Sequence, residues 1–138
     1  MVLEQKSDLA IDIESEGDII SARKSARRAA ELLGFGITDV TRIVTAASAL
    51  ARNSFVHAGS GIMQWRQLDE GGTIGLELKF EDHGPGIANV EQVMGMGHSS
   101  RSGLGGGLPG VKRLMDEMEI KSQIGIGTIV TVRKWLRR

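Results

Sequence analysis

The sequence predicts a two-layer α/β sandwich, with helices packed on a largely antiparallel sheet. Three observations carry the prediction. Ile74, Leu76, Leu78 and Phe80 alternate with Gly75, Glu77, Lys79 and Glu81, the period of a strand with one buried face. Two long helical segments precede that strand, each stopping at a glycine suited to a left-handed cap, Gly34 and Gly59. The chain closes with a hairpin, Ile120 to Ile124 and Thr128 to Trp135, turned at Gly125-Ile126-Gly127. Helices and strands in this order bury their apolar faces best as one helical layer on one sheet.

The elements follow from local patterns. Leu9, Ile11 and Ile13 alternate with polar neighbours as a short strand. Gly17-Asp18 opens the first helix, with Asp18 as N-cap. Its basic face, Arg23, Lys24, Arg27 and Arg28, is expected to be solvated. The second helix starts near Thr38 or Asp39 and ends at Ala58-Gly59. Ile62 to Leu68 forms a strand, and Glu70-Gly71-Gly72 turns it into the next, Ile74 to Glu81. Asn89 caps a short helix through Val93 and Met94. The glycine-rich run 95–107 lacks periodicity and reads as a mobile loop. Pro109 suits the first turn of a helix, along which Val111, Leu114, Met115 and Met118 make a buried stripe.

A chain of 138 residues fits one domain, here 1–138, with 1–7 as a flexible lead. Equal numbers of acidic and basic residues, 17 each, give no reason to expect nucleic acid or a membrane surface as partner. No cysteine is present, so disulfides and thiolate metal sites are excluded. The opening Met1-Val-Leu-Glu-Gln-Lys6 lacks the apolar run of a signal peptide, and a cytoplasmic location is expected.

Polar residues on buried faces point to a site. Asp82 continues the inward series of Leu76, Leu78 and Phe80, so its carboxylate faces the core at the strand's end. Such a carboxylate is costly without a donor. Two readings follow: Asp82 closes its own turn in Asp82-His-Gly-Pro-Gly-Ile87, or it accepts a hydrogen bond from a ligand amine. On the second helix, Ile43, Ala46, Leu50, Asn53 and His57 share one face, which places Asn53 in an apolar stripe. Its amide oxygen suits a hard cation such as Mg²⁺ or a nearby backbone group. His57 reads as a packed, hydrogen-bonded residue. In Ser99 to Gly110, glycines free of side chains can turn backbone N–H groups toward phosphate, and Arg101 can add a guanidinium. The helix at Pro109 would contribute the positive end of its dipole.

Other nucleotide motifs are excluded. Gly105 to Gly110 matches G-x-G-x-x-G, but no strand precedes it and no acid follows at the required distance. No G-x-x-x-x-G-K-[ST], H-R-D or D-F-G is present.

The order of the parts is the specific signal. An Asn on a helix, Asp-x-Gly-x-Gly-Ile after a strand, Gly-x-Gly-x-Gly before a helix and Gly-x-Gly-Thr before a last strand resemble the GHKL ATPase superfamily. Glu31 to Gly36, Leu50-Ala-Arg-Asn53, Glu81 to Ile87, Gly103 to Glu117 and Lys134-Trp-Leu-Arg137 resemble the RsbT-type serine/threonine kinases of the bacterial stressosome. The resemblance runs from about Asp18 to the end of the chain. It implies a Bergerat-type ATP-binding fold, a mixed sheet with helices on one face. It implies ATP and Mg²⁺ as ligands. Asn53 would hold Mg²⁺, and Asp82 would accept the adenine amino group. Gly84, Gly86 and Ile87 would wall the adenine, and Thr128 would join its water network. Gly103, Leu104, Gly105, Gly106, Gly107 and Leu108 would belong to the lid over 95–107 and the phosphate cradle beside it. The resemblance also implies phosphorylation of STAS-domain partners and, after release from them, activation of a PPM-type phosphatase.

The sequence departs from the pattern at one position. The family motif is Glu-x-x-x-Asn, its glutamate orienting or deprotonating the attacking hydroxyl. Here Ala49 stands at that place, four residues before Asn53. Loss of a general base removes about 10²–10⁴-fold in rate. Positioning and electrostatics still supply most of the catalysis in phosphoryl transfer. A kinase and a nucleotide-gated binding protein with little turnover are therefore both compatible with the sequence. Arg101 lies in Arg-Ser-Gly-x-Gly, as in the anti-sigma kinases, which implies a γ-phosphate contact.

Overall fold

The computed structural model describes residues 10–94 and 107–137. The elements run β1 (Ile11–Ile13), α1 (Glu16–Leu33), α2 (Ile37–Ala58), β2 (Gly61–Glu70), β3 (Thr73–Asp82), α3 (Val90–Met94), α4 (Gly107–Leu114), β4 (Glu117–Gln123) and β5 (Gly127–Trp135). They form one five-stranded sheet, ordered β1-β2-β3-β5-β4. The predicted two-layer α/β sandwich is present. Each of the four pairings is antiparallel, so the expected mixed sheet is corrected to an antiparallel one. Tight turns after β2 and β4 fold each strand directly back on the next, and β5 enters between β3 and β4 running against both.

Helices α1 and α2 cover one face of the sheet, and α4 packs on α2. The core lies between the layers. Leu76, Leu78 and Phe80 of β3 face it, as the alternation predicts, with Met63 and Trp65 from β2 and Val130 and Val132 from β5. From the helices come Ala22, Ala26 and Ala29 of α1 and Ile43, Ala47 and Leu50 of α2. The alanines let α1 approach the sheet closely, because a methyl group is all that separates the backbones.

Three boundaries differ from expectation. The N-cap of α1 is Ser15, not Asp18: Ser15 is extended (φ −156°, ψ 169°) and its hydroxyl accepts the Asp18 N–H at 3.2 Å. Asp18 sits in the first turn and its carboxylate accepts the Glu14 N–H at 2.8 Å, so two exposed donors are satisfied together. Helix α2 starts at Ile37, earlier than predicted. Helix α4 ends at Leu114, so Met118 belongs to β4 rather than to a helical stripe. The Asp116 N–H bonds the Arg133 carbonyl at 2.9 Å and the Asp116 carboxylate takes the Trp135 N–H at 2.7 Å. These bonds draw the chain into the sheet.

The outer face of the sheet carries a charge ladder. Arg66, Glu77, Arg133 and Glu117 lie across four neighbouring strands. Glu77, only 7 % exposed, accepts from Arg66 Nε at 2.7 Å and Arg133 Nε at 2.9 Å. Burial pushes its carboxyl upward, but the hydrogen bonds and charges of the two arginines outweigh that and hold it below its usual value. On the inner face, the Lys134 ammonium is 5 % exposed and donates to the Leu114 carbonyl at 2.8 Å, with Asp116 at 3.6 Å. It thereby ties the C-terminal end of α4 to β5.

Candidate functional site

One cleft opens between α2, α4 and the ends of β3 and β5. It is lined by Leu50, Asn53, Ser54 and His57 of α2, Phe80 and Asp82 of β3, Pro85, Gly86 and Ile87, Leu108 of α4, and Thr128 and Val130 of β5. Its apolar walls with a few polar groups suit a small organic ligand.

Asp82 closes its own turn, the first of its two readings. Its Oδ1 accepts the Gly84 N–H at 2.9 Å and closes the turn after β3. The same carboxylate lines the cleft, and Oδ2 takes no hydrogen bond among the described residues. Asp82 pairs across the ladder with Thr128, so the two polar groups stand side by side at one end. The Thr128 hydroxyl lies 2.8 Å from the Ser122 Oγ, and that same oxygen accepts the Ile87 N–H at 2.7 Å. Ser122 therefore fixes both the threonine and the loop that forms the cleft wall.

Glycine is required in that wall. Gly86 has φ +81°, and a Cβ there would fall onto the Gln123 carbonyl oxygen, 2.7 Å from its carbon. A Cβ on Gly84 would lie 2.6 Å from the Ala58 Cβ. The loop thus threads between the end of α2 and the β4–β5 turn, and any side chain at these positions would push it away.

Asn53 and the start of α4 form the other end. A Cβ on Gly107 would stand 3.3 Å from Asn53 Nδ2 and 3.5 Å from its Oδ1, so α4 begins against the asparagine amide. The Asn53 side chain lines the cleft and makes no hydrogen bond among the described residues. Leu108, 3 % exposed, anchors this end of α4 in the core. Ala49 lies one turn before Asn53 on α2, half-buried against the core. Among the described residues lining the cleft, Asp82 is the sole carboxylate. The described residues contain no cluster of three or more His, Cys, Asp or Glu able to hold a metal.

The structure brings Asn53, Asp82, Gly84, Gly86, Ile87, Gly107, Leu108 and Thr128 around one cleft. Arg101, Gly103, Leu104, Gly105 and Gly106 lie outside the described residues. Sequence reasoning missed Ser54 and Ser122. Ser54, 3 % exposed, lines the cleft and continues the buried spacing of Ala47, Leu50 and Ala51 on α2. Ser122 follows Met118 and Ile120 on the inward face of β4, the same parity signal that marks Asp82.

Comparison with known proteins agrees with this geometry. The model of the histidine kinase-like ATPase domain matches residues 14–134. The chain belongs to that ATP-binding family, in its serine/threonine-protein kinase branch. It is 48 % identical over 127 residues to the serine/threonine-protein kinase RsbT of Bacillus subtilis (strain 168), covering 92 % of this chain and 96 % of the relative. It is 30 % identical over 109 residues to the anti-sigma F factor of Anoxybacillus flavithermus, covering 74 % and 73 % of the two chains. Among solved structures, the histidine kinase domain of the Erythrobacter litoralis blue-light activated kinase superposes with a TM-score of 0.54 at 21 % identity, covering 86 % of this chain and 59 % of that one. The SiaB–SiaC complex of Pseudomonas aeruginosa gives a TM-score of 0.56 at 10 % identity, over 96 % and 92 % of the chains. At those identities both superpositions concern the fold alone.

Proposed function

We propose that this chain holds ATP in the cleft and transfers its γ-phosphoryl group, slowly, to a serine or threonine of a STAS-domain partner. Once released from that partner, it activates a PPM-type phosphatase in general stress signalling, in the cytoplasm. No described helix is long and apolar enough to cross a membrane. The observation that carries the reading is the polarity of the cleft. An acceptor pair, Asp82 and Thr128, stands at one end, and Asn53 against the start of α4 stands at the other.

The residues fit the nucleotide by their chemistry. Asp82 Oδ2 accepts the adenine amino group, and the Thr128–Ser122 hydroxyl pair completes the adenine edge. Phe80, Ile87 and Val130 supply apolar walls to the base. Near the phosphates, Gly107 and the N-terminal end of α4 direct backbone N–H groups toward negative charge. Asn53 would hold Mg²⁺ through its amide oxygen, and the ion would supply neutralisation of phosphate charge; a single protein ligand suits an ion that keeps most of its water. A phosphate role for Arg101 and Gly103 to Gly106, which lie outside the described residues, follows from the sequence resemblance alone. The acceptor hydroxyl oxygen bonds the γ-phosphorus as the bond to the β–γ bridging oxygen breaks. The hydroxyl proton passes to solvent, because Ala49 offers no acceptor.

A second reading is a nucleotide-gated binding protein with no useful turnover. The absence of any carboxylate other than Asp82 among the described cleft residues favours it. One assay separates the two. The chain and its Ala49→Glu variant are incubated with labelled ATP, Mg²⁺ and a STAS-domain protein. The proposal expects slow transfer by the unaltered chain, rising about 10²–10⁴-fold in Ala49→Glu. Transfer only after Ala49→Glu establishes the binding-protein reading, and transfer by neither variant overturns the kinase reading.

A further inference from the structure

We infer that Ser54 is a further base-reading residue of the cleft, whose hydroxyl donates to one of the two ring nitrogens beside the adenine amino group. The inference rests on the assignment of the cleft to ATP. The observation is a buried hydroxyl without a bond. Ser54 is 3 % exposed and lines the cleft, and its Oγ makes no hydrogen bond among the described residues. A helical serine or threonine commonly turns its hydroxyl back to the carbonyl four residues before it. Ser21 does so to Gly17, and Thr41 to Ile37. Ser54 makes no such bond to Leu50. A buried polar group is costly without a partner, and an occupied cleft is where this one finds it.

Packing places the hydroxyl beside Asp82. The register that pairs Ile62 with Glu81 sets Gly61 of β2 against Asp82 of β3. Alternation turns both toward the helices, with Met63 and Trp65 on one strand and Leu78 and Phe80 on the other. A Cβ on Gly61 would lie 2.8 Å from the Ser54 Cβ and 3.0 Å from its Oγ, so the serine takes the room that a side chain there would need. On the other side of Asp82, its ladder neighbour is Thr128. The carboxylate is thus flanked by two hydroxyls, Thr128 from β5 and Ser54 from α2.

Adenine has the complementary order. Its amino group donates, and the ring nitrogens on either side, N1 and N7, accept. A carboxylate between two hydroxyls offers an acceptor between two groups able to donate. The Thr128 hydroxyl already shares hydrogen bonding with Ser122. The Ser54 proton has no acceptor among the described residues and is free for the base.

The test measures, by calorimetric titration, the affinity of the full chain and of Ser54→Ala for ATP, 1-deaza-ATP and 7-deaza-ATP. Each analogue replaces one ring nitrogen with C–H. The inference expects the unaltered chain to bind one analogue about three- to tenfold more weakly than ATP, from one lost hydrogen bond. Ser54→Ala should bind ATP more weakly by a similar factor and no longer distinguish ATP from that analogue, because the two losses do not add. Without nucleotide it should melt no lower than the unaltered chain, since no bond within the protein is lost. Equal affinity of the unaltered chain for all three nucleotides overturns the inference. So does a Ser54→Ala chain that binds ATP as tightly as the unaltered one or keeps its full preference over both analogues. A lower melting temperature with that preference intact would assign the hydroxyl a structural role instead. No ATP binding by the unaltered chain would refute the cleft assignment and this inference together; ATP binding with an unresponsive Ser54→Ala refutes this inference alone.

Discussion

Gly86→Ala tests how the nucleotide wall is built. The glycine has φ +81°, where a side chain costs about 1–2 kcal/mol. Its added Cβ would also land on the Gln123 carbonyl oxygen, 2.7 Å from the carbonyl carbon and 3.0 Å from the Ile124 Cα. These are backbone atoms of the β4–β5 turn, which cannot rotate away as a side chain would. The loop itself must retreat, and the Gly125 N–H to Pro85 carbonyl bond of 2.9 Å is lost. That bond adds about 1 kcal/mol, for a total of about 2–3 kcal/mol. At roughly 3–5 °C per kcal/mol, the melting temperature falls by about 6–15 °C. A displaced wall that loses about 1.4 kcal/mol of contact with the base should also weaken ATP binding about tenfold. Gly125→Ala is the matched control: it too has φ +81°, but nothing lies within 4 Å of its Cβ. It carries the backbone cost alone. Calorimetric titration with ATP and thermal melting of both variants provide the assay. If Gly86→Ala melts with Gly125→Ala and binds ATP as tightly as the unaltered chain, the close approach of loop and turn is refuted.

Two further predictions concern stability. Glu77→Gln should destabilise the fold by about 1–2 kcal/mol at neutral pH, a modest figure because Arg66 is well exposed. The Glu77 carboxyl is held below its ordinary value in the fold, so its contribution is present above the unfolded pKa and disappears as pH falls through the folded one. The difference in melting temperature between variant and unaltered chain should therefore be full at pH 7 and close in acid; a constant difference would contradict the ion-pair account. Lys134→Met keeps the volume of a buried side chain but strips the Leu114 carbonyl of its donor and leaves Asp116 without a buried cation. A loss of about 2–3 kcal/mol in chemical denaturation is expected, and a variant as stable as the unaltered chain would contradict a structural role for the ammonium.

Much of this fold is legible in the residues. The alternation along β3 places Leu76, Leu78 and Phe80 inward, and continuing it places Asp82 at the cleft. Spacing along α2 does the same for Asn53. What escaped is what depends on partners distant in sequence. Both Ser15 and Asp18 suit a helix cap, and only the chain's path into α1 decides that Ser15 caps while Asp18 bonds backward to Glu14. Met118 continues a helical spacing, yet the bonds of Asp116 to Arg133 and Trp135, well over ten residues away, end the helix first. Ser122 looks ordinary until β4 and β5 pair and bring it to Thr128 and Ile87. Glu77 reads as an outward, solvated residue; Arg66 and Arg133 bury it by lying over it from both neighbouring strands.

The cleft's central claim rests on Asp82, whose Oδ1 closes a turn while the carboxylate also lines the cleft. Asp82→Asn keeps the size of the side chain and an oxygen to accept the Gly84 N–H, but turns the other position into a donor. Donor would then face donor at the adenine amino group, a cost of about 1–3 kcal/mol. Titration of the variant with ATP in a calorimeter, alongside its melting curve, is the direct measurement. The account predicts an affinity about 5–150-fold weaker with little change in melting temperature. ATP affinity equal to that of the unaltered chain would contradict it.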